Sequence, residues 1–588
     1  MNEEQTKKAS KILLLFLIVG FGLFFFLAAT FYHSHSDRKL PNFQAKRVES
    51  AMRGSVFSSD GFVLASSKKV YKAVVNTYNI NPNKKEVFVN LFSIYAKMPK
   101  YEVEKKLQKK GNVTLSYNID SKTASYLKQL NVKLNQLSVF QAHEDKNGRV
   151  FKYGLSVVES GEGRDYLYKD SMEPILGYIH KDNHFEITRV SGVKGVEKSF
   201  DHELEPKNDT LMVGQRDIAF NVILNKDATF ESRKDGLDVI LGVPLKLQKK
   251  LERLADKYGK NLGAKEVVIG IMESKSGKLI GLASNKRFNP NAIKRGDYPQ
   301  LNSTAIEYSY EPGSIIKPII YGILLEKKLT NPNERIDLEN GRYKLYNFTI
   351  TDTHKMESAS MEEVLLYSSN IGMAKMAQRL SPAEYNAGLQ AFSFGNLTGI
   401  DLPYEAMGVI PSYNRFRSDV YRATVSYGYG LRTTFMQMLK AYNIIVNNGV
   451  AHNPFLVEYL QDSKKRYRIK HTEPYRVLSK ESAEVIKETL IKIVKEGTAK
   501  KAQVKGVTIG GKTGTAHIAQ GGRYINKYNS SFFGFAKDHK KREYTIGITV
   551  FRPNESDVYF SSQTAVPLFK EVVELLIKER YLNALAVE

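Results

Sequence analysis

The sequence predicts an α+β fold in which an antiparallel sheet is flanked by helices. A strong β-hairpin pattern covers Glu266–Ala283, where two aliphatic runs flank a Lys275-Ser276-Gly277 turn. β-rich runs return near the end of the chain at 507–511, 531–536 and 544–551, and an amphipathic helix pattern follows from Leu568 to about Leu582. Helical patterns fill the interval. A hairpin first, helices in the middle, and strands with a packing helix last indicate a sheet covered by helices.

Length and composition indicate a large, basic globular protein that binds an anionic partner. The chain has 588 residues, of which 42% are hydrophobic and 25% charged, so we expect more than one domain. Its net charge of +25 favours membrane phospholipid or an acidic polymer as partner, and without zinc-finger or RNP-type motifs nucleic acid is not expected. The absence of cysteine excludes disulfides and thiolate metal sites.

The N-terminal segment Ile12–Tyr32 carries no formal charge and is long enough to span a bilayer. Three lysines precede it, at positions 7, 8 and 11, so we predict a cytoplasmic tail over 1–11 and a single-pass anchor over 12–32. Arg38 and Lys39 on the other flank reduce this charge asymmetry. The alternative is a cleaved signal peptide, for which Ala28-Ala29-Thr30 is a poor cleavage site.

Residues from about 40 to 240 alternate short β-type runs, such as Gly61–Ala65, with lysine-rich helical stretches, such as Glu102–Lys109. Nothing in this region clusters His, Asp and Glu as a metal site requires. We therefore predict a structural or partner-binding module here, with no metal and no cofactor.

The chemistry is predicted around Ser314 and Lys317. Gly313 allows a sharp bend before Ser314, and the apolar run that begins at Ile319 predicts a buried helix. On such a helix Ser314 and Lys317 share one face, one turn apart, at the N-terminus where developing negative charge is favoured. A serine hydroxyl needs a base to become a nucleophile, and a neighbouring lysine can serve.

Ser-x-x-Lys alone carries little weight, because this lysine-rich chain also has it at Ser66/Lys69 and elsewhere. Two further motifs follow Ser314 in order. Ser368-Ser369-Asn370 comes after an apolar run, and Lys512-Thr513-Gly514-Thr515 lies in the β-rich tail. This ordered triple resembles the signature of penicillin-binding proteins and serine β-lactamases.

The resemblance implies a role for each motif residue. Ser314 attacks a carbonyl to form an acyl-enzyme, and Lys317 is the base, with a pKa lowered from about 10.4 by burial or by the charge of Lys512. Lys512 also holds the terminal carboxylate of the substrate. Ser368 relays a proton to the leaving amine, and Asn370 binds the peptide carbonyl of the substrate.

The same resemblance assigns the oxyanion hole to the backbone N–H groups of Ser314 and Thr515. Gly514 is expected to leave the edge strand open for a substrate that lies alongside it. Thr513 and Thr515 offer their hydroxyls to the substrate carboxylate. The alternative for Thr513 is a purely structural place in the strand, and for Ser369 it is packing.

Over its whole length the chain resembles a class B penicillin-binding protein. The resemblance implies an elongated non-catalytic pedestal of dimerisation type over 33–240 and a transpeptidase domain over 241–588. Within class B, Ile371–Lys375 after the second motif resemble the division type. One departure from the family pattern is Leu241–Pro244, at the domain junction. The pedestal resemblance rests on the blocks Arg53–Ala65, Arg164-x-Tyr166, Gly192–Glu197 and Phe200-Asp201.

The resemblance implies a peptidoglycan D,D-transpeptidase of the bacterial inner membrane, with the bulk of the chain periplasmic. Its substrates are a D-Ala-D-Ala donor and an amine acceptor on stem peptides, and β-lactams are its inhibitors. A septal role is expected, with division-complex proteins and a polytopic membrane glycosyltransferase as partners beside membrane lipid. The alternatives are an elongation-type transpeptidase, a membrane-tethered β-lactamase and a β-lactam-binding scaffold.

Overall fold

The computed structural model describes residues 3–35, 44–144, 150–151, 154–182, 189–217, 222–554 and 558–585. Arg38 and Lys39, which bear on the predicted membrane orientation, lie outside the described residues. The chain divides into two compact units: Met1–Ser50 with Asn208–Lys234, and Ala51–Lys207 with Asp235–Glu588.

Helices and strands alternate along most of the chain. The helices are α1 Glu3–His35, α2 Lys85–Ala96, α3 Lys100–Lys106, α4 Ser121–Gln136, α5 Glu173–Leu176, α6 Gly195–Ser199, α7 Asp201–Leu204, α8 Leu245–Asn261, α9 Thr304–Glu307, α10 Lys317–Glu326, α11 Met361–Leu366, α12 Asn370–Ala377, α13 Pro382–Ala391, α14 Tyr413–Phe416, α15 Asp419–Ser426, α16 Phe435–Val446, α17 Lys480–Lys495 and α18 Ala565–Lys578. The strands are β1 Gln44–Glu49, β2 Val56–Phe57, β3 Val63–Asn76, β4 Asn112–Ile119, β5 His143–Glu144, β6 Val150–Phe151, β7 Leu155–Tyr166, β8 Ile179–Asp182, β9 Arg189–Gly192, β10 Thr210–Gln215, β11 Thr229–Glu231, β12 Asp238–Leu241, β13 Glu266–Glu273, β14 Leu279–Ser284, β15 Ser309–Tyr310, β16 Arg335–Asp337, β17 Arg342–Leu345, β18 Phe348–Thr351, β19 Ser358–Ser360, β20 Thr433–Thr434, β21 Val450–Ala451, β22 Val457–Gln461, β23 Arg466–Arg468, β24 Tyr475–Arg476, β25 Thr508–Gln520, β26 Arg523–Lys537 and β27 Glu543–Phe551.

The first unit contains helix α1 and a three-stranded antiparallel sheet in the order β1-β10-β11. Within the described part of the chain, α1 is the one helix long and apolar enough to cross a membrane. It contains the whole predicted span Ile12–Tyr32. The helix therefore fits a single-pass membrane anchor, while its orientation stays a prediction.

The second unit contains the predicted antiparallel sheet, in the order β14-β13-β27-β26-β25. The hairpin prediction is confirmed by the pairing of β13 with β14. Neighbouring residues of β26 contact helices on opposite faces: Phe533 packs on Phe435 of α16, and Phe532 packs on Phe569 of α18. Helices thus cover both faces of the sheet and β25 lies at its edge, so the α+β prediction is confirmed.

A second, seven-stranded sheet joins the N-terminal part of this unit to the C-terminal part. Strand β12 pairs in parallel with β2 and antiparallel with β22, which belongs to the predicted catalytic region. The predicted boundary between residues 240 and 241 therefore falls inside a strand, and both sides share one hydrophobic core. The domain limits stay a prediction.

Residues from the distant pedestal blocks meet in a buried ion cluster. Glu197 accepts from Arg53 Nε over 3.0 Å and from Arg164 Nε over 2.6 Å, and all three side chains are fully buried. Arg53 also pairs with Asp201 over 2.7 Å. Chain segments more than a hundred residues apart are thus joined by charge-assisted hydrogen bonds.

Candidate active site

Ser314 lies in a 3-10 turn, Gly313–Ile316, that runs directly into helix α10. Gly313 has φ +60°, a left-handed conformation that glycine adopts without steric cost. Its N–H donates to the Gly428 carbonyl over 3.1 Å, which fixes the bend before the serine. Ser314 is half-buried, while the residues on both sides of it are buried.

Lys317 begins α10 and is completely buried. Its Nζ donates to Asn370 Oδ1 over 2.8 Å and, in Ser368, to the carbonyl over 2.6 Å and to Oγ over 3.2 Å. Burial and, after it, the charge of Lys512 hold the pKa of Lys317 well below its usual range, and Asp352 opposes them. The first and second predicted motifs are thus brought together around a lysine that loses its proton easily.

The second motif forms the tight turn between α11 and α12. Ser368 adopts a left-handed conformation with φ +60°. Ser369 Oγ accepts from the Gly372 N–H over 2.9 Å and caps α12, which is a structural role of the kind proposed as its alternative. Asn370 Nδ2 donates to the Thr351 carbonyl over 3.1 Å, so the amide that faces Lys317 is held from its other end.

Lys512 projects from the edge strand β25 and is completely buried. Its Nζ donates to Ser368 Oγ over 3.0 Å and to the Thr513 carbonyl over 3.1 Å. Burial lowers the pKa of Lys512 to about 7. Ser368 Oγ therefore bonds to both buried amines, and the three predicted motifs converge on one hydroxyl.

Gly514 places the edge strand directly against the turn that carries Ser314. A Cβ at this position would lie 2.8 Å from Ile315 Cγ2 and 3.1 Å from Ile315 N. Close backbone approach is thus a reason for glycine that the sequence did not reveal. Its predicted role in leaving the strand open to substrate stays a prediction.

The two threonine hydroxyls of the third motif already have partners. Thr513 Oγ1 lies 3.0 Å from Thr498 Oγ1. Thr515 Oγ1 lies 3.0 Å from Ser561 Oγ. Their predicted contacts with a substrate carboxylate therefore compete with hydrogen bonds inside the protein.

Asp352 is the site residue that sequence reasoning missed. One carboxylate oxygen accepts from the N–H of Asn370 over 2.6 Å and of Ile371 over 3.2 Å, and the other accepts from Ser369 Oγ. It thus anchors the second motif and the N-terminus of α12, where negative charge is favoured. A lone aspartate in a polar loop gives no local signal of this role.

A half-buried serine that lies three residues before buried Lys317, on a turn packed against the edge strand that carries Lys512, is suited to covalent acyl transfer. The lysines can exchange protons through Ser368, and the turn at Ser314 lies beside the backbone of the edge strand. Among the described residues, no group of three His, Asp or Glu side chains could hold a metal ion. The site and the fold together define a serine acyltransferase.

Comparison with known proteins agrees with this class. Residues 267–574 match the penicillin-binding protein transpeptidase domain, and residues 48–241 match the penicillin-binding protein dimerisation domain. The chain belongs to the penicillin-binding protein transpeptidase family, and the dimerisation domain before the catalytic one makes it a class B member.

Individual relatives are distant but extend over most of the chain. The probable peptidoglycan D,D-transpeptidase PenA of Neisseria meningitidis serogroup A is 24% identical over 89% of this chain and 84% of its own. The peptidoglycan D,D-transpeptidase FtsI of Buchnera aphidicola is 24% identical over 90% of this chain and 88% of its own. The aztreonam complex of penicillin-binding protein 3 from Mycobacterium tuberculosis shares the fold, with TM-score 0.66 and 21% identity over 92% of this chain and 98% of that one.

Proposed function

We propose that this protein is a peptidoglycan D,D-transpeptidase that cross-links stem peptides through an acyl-enzyme on Ser314 and is inhibited by β-lactams. The observation that carries the proposal is the convergence of Lys317 and Lys512 on Ser368 Oγ beside the Ser314 turn. The names of the full-length relatives support the same reaction.

In the acylation step, neutral Lys317 accepts the proton of Ser314 as Oγ attacks the carbonyl of the penultimate D-alanine. The negative charge that develops on the carbonyl oxygen is stabilised by the N–H groups of Ser314 and Thr515. As the C–N bond breaks, a proton passes through Ser368 to the amine of the departing D-alanine. Buried Lys317 is suited to this role because burial disfavours its charged form.

Substrate binding is assigned to the groups around this centre. Lys512 attracts the terminal carboxylate, and Asn370 binds the peptide carbonyl. Thr513 and Thr515 assist Lys512 only once the substrate displaces their hydrogen bonds inside the protein. The free edge of β25 at Gly514 accepts the donor peptide as an added strand. An amine from a neighbouring stem peptide then attacks the ester, forms the cross-link and releases Ser314.

Labelling with a fluorescent penicillin tests the nucleophile. We expect the intact chain to form a covalent adduct that persists in denaturant and Ser314→Ala to form none. Ser66→Ala is the matched control, because Ser66 is half-buried like Ser314 and also begins a Ser-x-x-Lys sequence, with Lys69. Equal labelling of the wild type and Ser314→Ala would rule out the assignment.

The lifetime of the adduct separates the transpeptidase from the β-lactamase alternative. A transpeptidase holds the penicilloyl ester because it has no activated water, whereas a lactamase hydrolyses it. We expect the adduct to persist for many minutes after free penicillin is removed, and turnover within seconds would favour the lactamase.

We further propose a septal role in the bacterial inner membrane, with the N-terminus cytoplasmic and the catalytic unit periplasmic. Support comes from the apolar helix α1, from the division-type residues Ile371–Lys375 and from the relative named FtsI. A polytopic membrane glycosyltransferase would then supply the glycan strands. Imaging of a fluorescent fusion tests this role: a band at mid-cell supports it, and patches along the side wall would support the elongation alternative.

A further inference from the structure

A buried serine outside the three motifs is bonded to the catalytic edge strand. Ser561 lies in the turn before helix α18 and is 2% exposed. Its Oγ donates to the Gly514 carbonyl, and its N–H donates to Thr515 Oγ1 over 3.1 Å. Its own carbonyl accepts from the Val566 N–H over 2.9 Å, which ties it to the first turn of α18. One serine thus connects a helix of the sheet's outer layer to two consecutive residues of β25.

The Gly514 carbonyl and the Thr515 N–H belong to the same peptide group. Because that group is planar and trans, the two bonds point in opposite directions, and a partner that fixes the carbonyl also fixes the N–H. A hydrogen bond accepted by the carbonyl also polarises the peptide and strengthens the N–H as a donor. The contact with Ser561 therefore acts on both the direction and the strength of this donor.

The hydroxyl protons of this cluster follow from the same contacts. Ser561 Oγ has a single proton, which goes to the Gly514 carbonyl, so the 3.0 Å contact with Thr515 Oγ1 is one that Ser561 accepts. The Thr515 hydroxyl then donates to Ser561 Oγ and accepts from the Ser561 N–H. Its proton is engaged in the protein and is unavailable to a substrate carboxylate in this arrangement.

The geometry points to Ser561 as a positioning residue of the oxyanion hole, which holds the Gly514–Thr515 peptide so that the Thr515 N–H is directed at the reacting carbonyl. This inference rests on the proposed function, because it takes the Thr515 N–H as the oxyanion donor. Ser561 acts through that peptide and does not touch the substrate. The same contacts leave carboxylate recognition mainly to Lys512.

The test is the acylation kinetics of Ser561→Ala with a penicillin. Loss of a complete oxyanion donor costs roughly 100- to 1,000-fold in rate. Because the Thr515 N–H remains in Ser561→Ala and is only less well held, we expect the acylation rate constant to fall about tenfold. The dissociation constant of the preceding non-covalent complex should stay within about twofold, since charge in the oxyanion hole develops only in the transition state.

Matched variants distinguish positioning from general damage to the fold. Ser562→Ala alters the next, half-buried serine and should leave both constants unchanged. Ser561→Thr keeps the hydroxyl and should restore the rate. Thr515→Val removes the Thr515 hydroxyl but keeps the bond from Ser561 to Gly514, so it should slow acylation less than Ser561→Ala does.

The outcomes are separable. Wild-type acylation in Ser561→Ala, or a change confined to the dissociation constant, would overturn the inference and leave the proposed function intact. A loss in Thr515→Val equal to that in Ser561→Ala would also overturn it, because the hydroxyl rather than the carbonyl would then matter. If Ser561→Ala does not fold, Ser561→Cys carries the same expectation, because its side chain is close to serine in shape and its thiol is only a weak donor. Failure of the wild type to be acylated would instead refute the proposed function.

Discussion

At the scale of single residues, the active site depends on two lysines that are both buried and both bonded to one serine hydroxyl. Burial lowers the pKa of both amines, and the charge of Lys512 lowers the pKa of Lys317 further, so the site favours a neutral Lys317 with a charged Lys512. The site therefore holds a base and a cation made from the same residue type, as the proposed mechanism needs. Asp352 opposes the loss of charge from Lys317 and so limits how far its pKa falls.

The titration of this pair predicts a bell-shaped dependence of acylation on pH. At low pH Lys317 is protonated and cannot accept the Ser314 proton, so the rate rises as pH rises. Above a pH of about 7 Lys512 loses its charge, and attraction for the penicillin carboxylate weakens, so the rate falls again. Stopped-flow acylation across pH gives the profile.

Lys512→Arg is the control for the alkaline side of that profile. Arginine keeps its charge throughout the accessible range, so the rate should no longer fall above a pH of about 7, even if it is lower everywhere. A flat profile in the wild type, or an alkaline fall that survives in Lys512→Arg, would contradict the assignment.

Lys440 provides a second prediction at this scale, concerning stability. It is 2% exposed, and its Nζ donates to the Thr398 carbonyl over 3.0 Å and to Asn453 Oδ1 over 2.8 Å. Burial lowers its pKa from 10.5 to about 8. Between these values the unfolded chain binds more protons, so the free energy of unfolding rises with pH, by about 3 kcal/mol in total from this residue.

Lys440→Met should remove that rise. Urea unfolding at a pH of about 8 and of about 10.5 would show a larger stabilisation at high pH in the wild type than in the variant. Lys480→Met is the control, because the Lys480 side chain is 61% exposed and its loss should leave the wild-type difference unchanged. Equal pH differences in all three proteins would mean that Lys440 has an ordinary pKa.

At the scale of elements, local signals predicted what is local. The Pro-Gly turn before Ser314 and the three-residue spacing to Lys317 were visible in the sequence, as was the hairpin formed by β13 and β14. Contacts that join distant segments were not. Asp352 contacts the second motif from a separate loop, and Ser561, 46 residues after Thr515, contacts β25. No sequence pattern predicts either contact. The predicted start of the last helix was also inexact, because α18 begins at Ala565, three residues before Leu568.

Gly514→Ala tests how closely the edge strand β25 must approach the turn that carries Ser314. The added Cβ would lie 3.1 Å from Ile315 N and 3.2 Å from the Pro312 carbonyl, so the strand must move away from the turn. Misplacement of this kind costs about 100-fold in rate when it affects reacting groups. We therefore expect penicillin acylation to fall about 100-fold. The free energy of unfolding should fall by only about 1–3 kcal/mol, as at other overpacked sites, so the protein stays folded.

Gly296→Ala is the comparison, because a Cβ there meets nothing within 4 Å. It should acylate at the wild-type rate. If Gly514→Ala also does so, the edge strand tolerates displacement and the close approach has no part in catalysis.

At the scale of the whole molecule, the unit that contains the active site is held together by contacts between distant parts of the chain. Strand β12 pairs with β22 from the catalytic region, and one core includes Val56 and Leu204 from the N-terminal part as well as Leu251 and Leu282. The boundary that the family resemblance implies between residues 240 and 241 therefore lies inside strand β12 and its shared core. Local sequence patterns predict local structure, and they do not reveal that two strands about two hundred residues apart will pair.

Glu197 is the residue on which we expect this long-range organisation to depend most. It is the common partner of Arg53 and Arg164, and its removal would leave two buried guanidinium groups without their shared carboxylate. Loss of one member of a buried ion pair costs about 3–5 kcal/mol, so Glu197→Ala should lower the free energy of unfolding by at least that range.

Glu159→Gln is the control, because its pair with Lys69 is partly exposed, and we expect a loss of less than about 1 kcal/mol. Denaturant unfolding followed by circular dichroism measures both, and penicillin acylation at low temperature should remain in Glu197→Ala, since the cluster supports the fold and does not reach the reacting groups. A Glu197→Ala protein as stable as Glu159→Gln would show that the cluster contributes no more than a surface pair.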